Sequence, residues 1–334
     1  MSSNRVLNAA VLGATGTVGQ RFIVLLSQNP MFKIHSLGAS ERSAGKPYAQ
    51  ATRWKMSEQM PENVRNIVVK SCDPALYEGC DVVFSGLDAS VAGDVEKAFL
   101  ESEFAVFSNA KNYRMAEDVP LCVPVVNTDH YAVVAAQRAA RDKFGPISRV
   151  IVTTLQAVSG AGYPGVASLD ILDNIVPLIS GEEPKMEAEV LKILGGVSSD
   201  ASVCSPLQDL RVSATCNRVP VVDGHTECVS LEFAGEPPSI DAIKQCLREY
   251  TCEAQDLGCF SAPAQVINVS EEEDRPQPRL DRNAGAGMSV TVGRIRPCPV
   301  FHVRFTLLVH NTILGAAGAS ILNAEYAAKK GYIV

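Results

Sequence analysis

Residues 7 to 28 read LNAAVLGATGTVGQRFIVLLSQ, and this stretch decides the fold of the first part of the chain. A short apolar run comes first, a turn with three glycines follows, and apolar residues at helical spacing complete it. This is the order of a β-strand, a loop and an α-helix. Because a helix N-terminus behind a glycine turn presents free N–H groups and a positive dipole end, the stretch predicts a site for a dinucleotide diphosphate.

The glycines of this loop have the spacing Gly-x-x-Gly-x-x-Gly, which differs from the commoner Gly-x-Gly-x-x-Gly. The position of the loop, directly after a predicted strand near the chain start, therefore supports the prediction more than the pattern does. The residues that we expect to contact the cofactor here are Gly13, Thr15, Gly16, Thr17, Val18 and Gly19.

The end of the second predicted strand indicates which dinucleotide is bound. The strand FKIHSLGAS (32 to 40) runs into Ser40, Glu41, Arg42 and Ser43. An isolated acidic residue here would take the ribose 2′-hydroxyl, whereas an arginine with hydroxyl groups suits a 2′-phosphate. We therefore predict NADP, bound by Ser40, Arg42 and Ser43, while Glu41 is the residue that favours NAD.

Further strands are predicted at 66–71, 80–87 and 103–110, with helices between them. Alternating strands and helices of these lengths indicate a parallel, doubly wound sheet. After about residue 150 the pattern changes to a strand, a polar helix at 182–194 and an apparent antiparallel pair within 211–233. The fold class that follows is α/β, a Rossmann-type dinucleotide domain plus an α+β domain. The last segment, 310–331, predicts a small-residue turn and an amphipathic helix.

Composition narrows the class of protein. A length of 334 residues favours two domains, and a formal net charge of −7 argues against nucleic acid or an anionic membrane as the main partner. No run of eighteen apolar residues occurs. The ten cysteines are scattered without a Cys-x-x-Cys pair or the spacing of a metal site, so we expect no metal and free thiols in the cytoplasm.

The segment RVPVVDGH (218–225) contains two common catalytic side chains, Arg218 and His225. Their spacing of seven residues places them on opposite faces of a straight strand. They can meet at one ligand only if the chain bends between them, and Pro220 or Asp223-Gly224 supplies such a bend.

Seven motifs, in order along nearly the whole chain, resemble the aspartate-semialdehyde dehydrogenases of fungi and archaea. They are GATGTVGQRF from 13, SNAKNYRM from 108, TTLQAVSGAG from 153, GEEPKMEAEVLKIL from 181, RVPVVDGH from 218, DRPQPRLDR from 274 and HNTILGAAGASILNAE from 310. The resemblance implies a cysteine that attacks the aldehyde, hydride transfer to NADP, and displacement of the thioester by phosphate. L-Aspartate 4-semialdehyde and phosphate would thus be interconverted with L-4-aspartyl phosphate, in the branch of biosynthesis that leads to lysine, methionine, threonine and isoleucine.

By matching position, the resemblance also assigns roles. His225 is expected to be the general acid/base and Gln156 to orient the substrate, while Arg218 holds the substrate α-carboxylate as a planar two-pronged donor. The remaining expected roles are Glu182 at the substrate ammonium, Arg114 and Lys185 at phosphate, and Asn311 at the cofactor. Each has a plain structural alternative: Glu182 and Lys185 as a solvated i,i+3 pair, Gln156 as a core polar group, Arg114 as a loop charge.

The chain departs from the family where the nucleophile is expected. Residues 127–150 contain no cysteine, and a strand, a turn and a helix, roughly 20 to 30 residues by ordinary element lengths, are missing near the 141/142 junction. Cys122 lies in an apolar setting that raises a thiol pKa. Cys216 and Cys228 flank RVPVVDGH, and Cys216 is the better substitute because it shares a strand face with Arg218. None of the three has the helix N-terminus that helps a nucleophilic thiol to ionise.

The gap leaves several alternatives open: a skipped exon or misjoined gene, an omitted loop closed up in the numbering, a catalytically inactive NADP-binding relative, and a substitute cysteine. Two similar enzymes are further alternatives. N-acetyl-glutamyl-phosphate reductase predicts a different glycine loop and no Glu182/Lys185 helix, and malonyl-coenzyme-A reductase would act on a coenzyme A thioester. The predicted domains are 1–141 for NADP, rejoined by 310–334, and 142–309 for substrate and dimerisation, in a homodimer or homotetramer.

Overall fold

The computed structural model describes residues 5–122, 124–125, 143–197 and 204–333. The chain forms two compact units. The first consists of Met1–Arg114, Leu257–Ser261 and Ala316–Val334, and the second of Met115–Asp256 and Ala262–Gly315. The domain boundary predicted at 141/142 lies outside the described residues, so the predicted domain limits stay a prediction. Within the described ranges, every helix is too short or too polar to cross a membrane.

The strands and longer helices follow in this order: β1 Leu7–Leu12, α1 Thr17–Leu26, β2 Phe32–Gly38, β3 Val82–Ser85, α2 Ala89–Glu101, β4 Ala105–Ser108, β5 Ile147–Gln156, α3 Glu182–Ile193, β6 Gly196–Val197, β7 Cys204–Ser205, β8 Arg211–Arg218, β9 His225–Phe233, α4 Ile240–Arg248, β10 Ile267–Val269, β11 Val290–Pro297, β12 Val303–Val309 and α5 Gly318–Lys329. Short helices occur at Tyr48–Ala51, Ser168–Ile171, Glu253–Asp256 and Pro278–Asp281.

The first unit contains a four-stranded parallel sheet in the order β2-β1-β3-β4. Its central strands are apolar on both faces, as expected when helices cover both. On one face Val11 and Phe84 pack with residues of α1 and α5, and on the other Leu12 and Val83 pack with Phe99 of α2. The prediction of a doubly wound parallel sheet is thus confirmed.

Two predictions for the first unit are wrong. Residues 66–71 do not form a strand, because only single bridges pair Lys70 with Gly38 and Val68 with Pro47, which leaves Val68 52% exposed. The helix α5 is not amphipathic. Its residues 318–327 are all buried, and Ile321 and Ala324 lie in the core beside α1.

The second unit is built on a six-stranded mixed sheet in the order β10-β11-β12-β9-β5-β8. One face carries mostly buried residues such as Val152, Ala214 and Val229, which lie opposite one another across β5, β8 and β9. The other face carries residues such as Ser213 and Thr215, which are exposed. Because one face of the sheet is buried and the other is exposed, buried and exposed residues alternate along each strand.

The segment 211–233 is not an antiparallel pair, contrary to the sequence prediction. β8 is parallel to β5 and β9 is antiparallel to it, so β5 lies between them and the two strands do not pair. The chain between Arg218 and His225 therefore crosses over the end of β5. Arg218 and His225 are therefore separated by this crossover and not by a bend within one strand.

The helix α3 lies along the free edge of β8. Its Glu183 and Glu187 carboxylates accept hydrogen bonds from the backbone N–H groups of Cys216 and Ala214, both at 2.9 Å. An edge strand otherwise presents unpaired N–H groups that invite pairing with another chain. The two glutamates therefore protect this edge and fix α3 beside the end of β5.

Candidate active site

The glycine loop joins β1 to α1 in the first unit. Gly13 has a φ of +68°, and a Cβ there would lie 2.6 Å from the carbonyl oxygen of Gly86 at the end of β3. A Cβ on Gly19 would lie 2.2 Å from the carbonyl oxygen of Gly13. Only glycine allows this turn and this close approach of loop, helix and strand.

The carbonyl groups of the loop are turned into the protein. The Tyr48 hydroxyl donates to the Ala14 carbonyl at 2.7 Å, and the Gln20 amide donates to the Thr15 carbonyl at 3.0 Å. The first N–H groups of α1, from Thr17 onward, have no acceptor within the helix. This donor set fits a diphosphate, because the loop offers N–H groups and no competing carbonyl oxygens.

A tight turn follows β2 at the place predicted for the 2′-phosphate. The Ser43 N–H donates to the Ser40 carbonyl at 2.8 Å, which closes the turn, and Arg42 is exposed. Arg114 is also in the first unit, and its guanidinium donates to the carbonyl oxygens of Asn109 at 2.8 Å and Ala110 at 3.2 Å. These contacts hold the guanidinium group of Arg114 just beyond β4.

In the second unit, three predicted side chains come together at the carboxyl end of β5. Gln156 is the last residue of β5, Arg218 is the last residue of β8 directly opposite it, and His225 is the first residue of β9 on the other side. Gln156 and Arg218 are 3% and 7% exposed. The crossover from β8 to β9 thus brings Arg218 and His225 to opposite sides of one strand end.

A single residue, Ala157, contacts both side chains. Its N–H donates to Nδ1 of His225 at 3.1 Å, and its carbonyl oxygen accepts from Nη1 of Arg218 at 2.8 Å. Three residues further on, a Cβ at Gly160 would lie 2.8 Å from Arg218 Nη1 and 3.3 Å from His225 Nε2. The Arg218 and His225 side chains therefore converge on the turn that follows β5.

The charge of this cluster is set by burial and by its neighbours. Burial and the adjacent Arg218 guanidinium lower the pKa of His225 to about 4, so the imidazole is neutral at pH 7. Burial works against ionisation of Glu182, but its hydrogen bonds with Lys185 and Gln156 still lower the pKa of that carboxyl. Glu182 therefore keeps its negative charge beside Gln156.

Glu182 and Lys185, predicted to bind ligand groups, pair with each other across 2.6 Å in the first turn of α3. Both are partly buried, so this is not the fully solvated pair of the structural alternative. Asn311 bridges two turns: its Nδ2 donates to Ser159 Oγ at 2.8 Å, and its Oδ1 accepts from Gly224 N–H at 2.9 Å. Asn311 thereby joins the turn after β5 to the residue before His225.

Free thiols are found at Cys72, Cys80, Cys204, Cys216, Cys228, Cys252 and Cys298. Cys216, on the same face of β8 as Arg218, is fully buried, and burial raises its pKa. Burial also raises the pKa of Cys122 well above its ordinary value. Cys228 is exposed. The 141/142 junction, where the nucleophile segment is expected to be missing, lies outside the described residues.

Sequence reasoning missed Ala157 and Gly160. Their role depends on the backbone, so no side-chain chemistry marks them, although the small-residue run AVSGAG was a usable signal. The second unit brings together Gln156, Glu182, Lys185, Arg218 and His225, with Asn311 beside them. The first unit holds Arg114, the glycine loop and the turn at 40–43.

Two family domains match nearly the whole chain. Residues 8–134 match the NAD binding domain of semialdehyde dehydrogenases, and residues 138–314 match their dimerisation domain. Among individual relatives, the aspartate-semialdehyde dehydrogenase of Candida albicans is 53% identical over 98% of this chain and 100% of its own length. The archaeal enzyme of Methanothermobacter thermautotrophicus is 45% identical over 96% of this chain and 98% of its own length.

A solved structure shows similarity to the same family of enzymes. The crystal structure of the aspartate-semialdehyde dehydrogenase of Candida albicans with NADP has a TM-score of 0.92 and 52% identity, covering 98% of this chain and 99% of that one. The alignment with the Candida albicans sequence runs over 363 positions against the 334 residues of this chain, so at least 29 of its residues have no counterpart here. The location of that gap at 141/142 stays a prediction.

Proposed function

Because the chain belongs to the aspartate-semialdehyde dehydrogenase family, we propose that it interconverts L-aspartate 4-semialdehyde plus phosphate and L-4-aspartyl phosphate with NADP. The observation that carries the proposal is the convergence of Gln156, Arg218 and His225 at the end of β5. The buried Gln156 and Arg218 meet the partly buried His225 there, beside a charged Glu182. This is the arrangement that a small zwitterionic substrate requires.

The substrate is held by complementary charges. Arg218, whose Nη1 is anchored to Ala157, presents its remaining N–H groups to the α-carboxylate. Glu182 binds the α-ammonium, and this contact replaces part of its ion pair with Lys185. Gln156 orients the aldehyde or thioester, and His225 assists proton transfer at the reacting oxygen. Lys185 binds phosphate, and Arg114 of the first unit is a separate candidate for that role.

NADP is held by the residues of the first unit. The N–H groups of Thr17, Val18 and Gly19 receive the diphosphate, and Ser40, Arg42 and Ser43 receive the 2′-phosphate. Bound NADP supplies the hydride acceptor for oxidation of the aldehyde. Gly13, Thr15 and Gly16 shape the loop. Because Tyr48 and Gln20 hydrogen-bond to carbonyl oxygens of the loop, those oxygens do not face the diphosphate. Asn311, also predicted to contact the cofactor, donates to Ser159 Oγ in the turn after β5.

The exposed face of the six-stranded sheet supports a homodimer, or a tetramer made of dimers. Ile151 is 44% exposed there, and Cys228 lies nearby on β9. On the same sheet Arg296 and Arg304 lie directly opposite each other on β11 and β12. Like charges in that position are unfavourable unless carboxylates, here those of a second copy, compensate them. The free thiols support a cytoplasmic location.

A second candidate is a catalytically inactive NADP-binding relative. It is favoured by the absence of at least 29 residues that the Candida albicans relative has, and by the burial of Cys216. In such a protein the cofactor and substrate groups remain, but no ionised thiol reaches the aldehyde. The two candidates differ in turnover and not in cofactor binding.

The deciding experiment uses the 334-residue chain as it stands. NADPH formation from aspartate semialdehyde, NADP and phosphate is followed by absorbance, and NADP affinity is measured by calorimetry on the same sample. Phosphate-dependent turnover supports the dehydrogenase, and loss of that turnover in Cys216→Ala but not in Cys228→Ala would identify the nucleophile. NADP binding without turnover establishes the inactive relative. Absence of NADP binding contradicts both.

A further inference from the structure

The motif SNAKNYRM begins at the end of β4, and two of its side chains hold it against one face of α2. The Asn112 amide donates to the carbonyl oxygen of Ala89 at 3.0 Å, and the Tyr113 hydroxyl donates to that of Gly93 at 2.7 Å. Ala89 and Gly93 are four residues apart, so they lie on the same face of the helix. This face of α2 therefore supports the chain that follows β4.

Glu96 continues this face three residues after Gly93, and it is 2% exposed. Its Oε1 atom accepts hydrogen bonds from the hydroxyl groups of Ser85 at 2.6 Å and Ser108 at 2.5 Å. These serines are the last residues of β3 and β4. One buried carboxyl oxygen thus joins the ends of two neighbouring strands, and removing its donors would be costly because the oxygen is shielded from water.

The hydrogen bonds continue from Ser108 to Arg114. A serine hydroxyl has one proton, and because Ser108 donates it to Glu96, the oxygen is left to accept. It accepts from the N–H of Ala110 at 2.9 Å, which closes a short turn after β4. The carbonyl oxygens of Asn109 and Ala110 then accept from the Arg114 guanidinium, at 2.8 Å from Nη2 and 3.2 Å from Nε.

We propose that Glu96 and Ser108 are positioning residues for Arg114, which fix the turn whose carbonyl oxygens hold its guanidinium and thereby raise the affinity for phosphate. The inference rests on the proposed role of Arg114 in phosphate binding, although the position of the guanidinium is a property of the chain alone. A long side chain loses rotamer freedom when it binds a ligand. A guanidinium that is already held therefore binds an anion more tightly.

Ser85 provides a matched comparison with Ser108. Ser85→Ala and Ser108→Ala each remove one hydroxyl group that donates to the same Oε1 atom of Glu96. Ser108→Ala additionally removes the acceptor of the Ala110 N–H. A general loosening of the strand ends should follow from both variants, whereas displacement of Arg114 should follow from Ser108→Ala alone.

The test is nuclear magnetic resonance on the full chain labelled with ¹⁵N in arginine, which measures how fast the Arg114 Nε proton exchanges with water. Arg114→Ala assigns the signal. We expect exchange to be about tenfold faster in Ser108→Ala, about threefold faster in Glu96→Met and unchanged in Ser85→Ala. Glu96→Gln keeps a carbonyl oxygen that can replace Oε1 and should resemble the native chain. Glu101→Met, at an exposed position of the same helix, is the control.

Calorimetry with inorganic phosphate on the same proteins links the position of Arg114 to binding. Phosphate affinity should fall several-fold in Ser108→Ala and Glu96→Met, and at least as much in Arg114→Ala. It should stay at the native value in Ser85→Ala. NADP affinity should remain within about twofold of the native value in the Ser108 variant, because the glycine loop keeps its own contacts.

Equally fast exchange in Ser85→Ala and Ser108→Ala would overturn the proposal, and so would native exchange in Ser108→Ala. Loss of NADP affinity in step with phosphate affinity would also overturn it, because that result indicates general damage to the first unit. If Arg114→Ala leaves phosphate affinity unchanged, the proposed phosphate role fails, and the exchange rates still decide whether the guanidinium is held. Should Glu96→Met fail to fold, the two serine variants decide the outcome.

Discussion

The loop after β1 and the turn after β5 use their backbones in opposite ways. Around the glycine loop, the carbonyl oxygens of Ala14 and Thr15 are bound by Tyr48 and Gln20, which leaves helix N–H groups for a ligand. In the second turn, the N–H and the carbonyl oxygen of Ala157 are both occupied by His225 and Arg218. The glycine loop therefore binds its ligand through its own backbone. The turn after β5 instead uses its backbone to hold the side chains of His225 and Arg218.

The difference shows what a glycine contributes in each place. Gly13 and Gly19 lie against other backbone atoms, which cannot move without displacing a strand or a helix. Gly160 lies against the ends of two side chains, which can turn away. Substitution should thus damage the fold in the first turn and the ligand site in the second.

The largest effect is expected from Gly19→Ala. Its Cβ would lie 2.2 Å from the Gly13 carbonyl oxygen and 2.7 Å from Ala14 Cα, so the loop and α1 must separate. We expect a loss of unfolding free energy of about 3 kcal/mol or more, measured by urea denaturation, together with loss of NADP binding. Gly235→Ala, where no atom lies within 4 Å, is the control and should be nearly neutral. Equal stability of the two variants would refute the close packing.

Next in size is Arg218→Lys, which tests whether the second turn holds its side chain for a ligand. Lysine keeps the charge but loses the planar pair of donors, so affinity for aspartate semialdehyde should fall about 10- to 100-fold while NADP affinity is unchanged. Calorimetry with each ligand measures both. Arg211→Lys, at the exposed opposite end of β8, is the control. A parallel loss of NADP affinity would mean that Arg218 has a structural role.

A smaller effect is expected from Glu227→Gln, two residues beyond His225 on β9. Burial raises the pKa of Glu227 to about 7 from an ordinary 4.5. The folded chain thus holds a proton that the unfolded chain has lost, and this group reduces stability as the pH rises from 4.5 to 7. His225, with its lowered pKa, acts in the opposite direction between pH 4 and 6.5 and is present in both proteins.

Glutamine cannot ionise, so Glu227→Gln should gain on the order of 2 kcal/mol over the native chain at pH 8 and little at pH 4.5. Urea denaturation at the two pH values measures the difference. The exposed Glu236→Gln should gain nothing at either pH. A constant difference across the pH range would show that packing, and not ionisation, is responsible.

Much of the first unit could be predicted from sequence because its signals are local. A run of apolar residues bounded by glycines specifies β1, the loop and α1 without reference to any other segment. The failed strand at 66–71 has the same local signal, but a strand also needs a partner along its whole length, and here only Lys70 and Val68 form bridges. Pairing is not a local property.

The second unit could be predicted less well for the same reason. β8 and β9 are neighbours in sequence, but β5, more than 50 residues earlier, lies between them. Residues such as Arg218 and His225 were identified through resemblance, whereas their meeting point at Ala157 follows only from the order of the strands. Backbone groups carry no residue-type signal, so no motif could have marked them.

The smallest effect on stability is expected from Gly160→Ala, and this variant makes the contrast between the turns direct. Its Cβ would lie 2.8 Å from Arg218 Nη1, which is the far end of a flexible side chain and can retreat. The stability loss should stay below about 1 kcal/mol, against about 3 or more for the same change at Gly19. Retreat of Nη1 costs its bond with the Ala157 carbonyl oxygen, so affinity for aspartate semialdehyde should fall several-fold while NADP binding at the glycine loop persists. If Gly160→Ala instead unfolded the chain as Gly19→Ala does, the turn after β5 would be a packing element like the glycine loop, and the distinction between the two turns would fail.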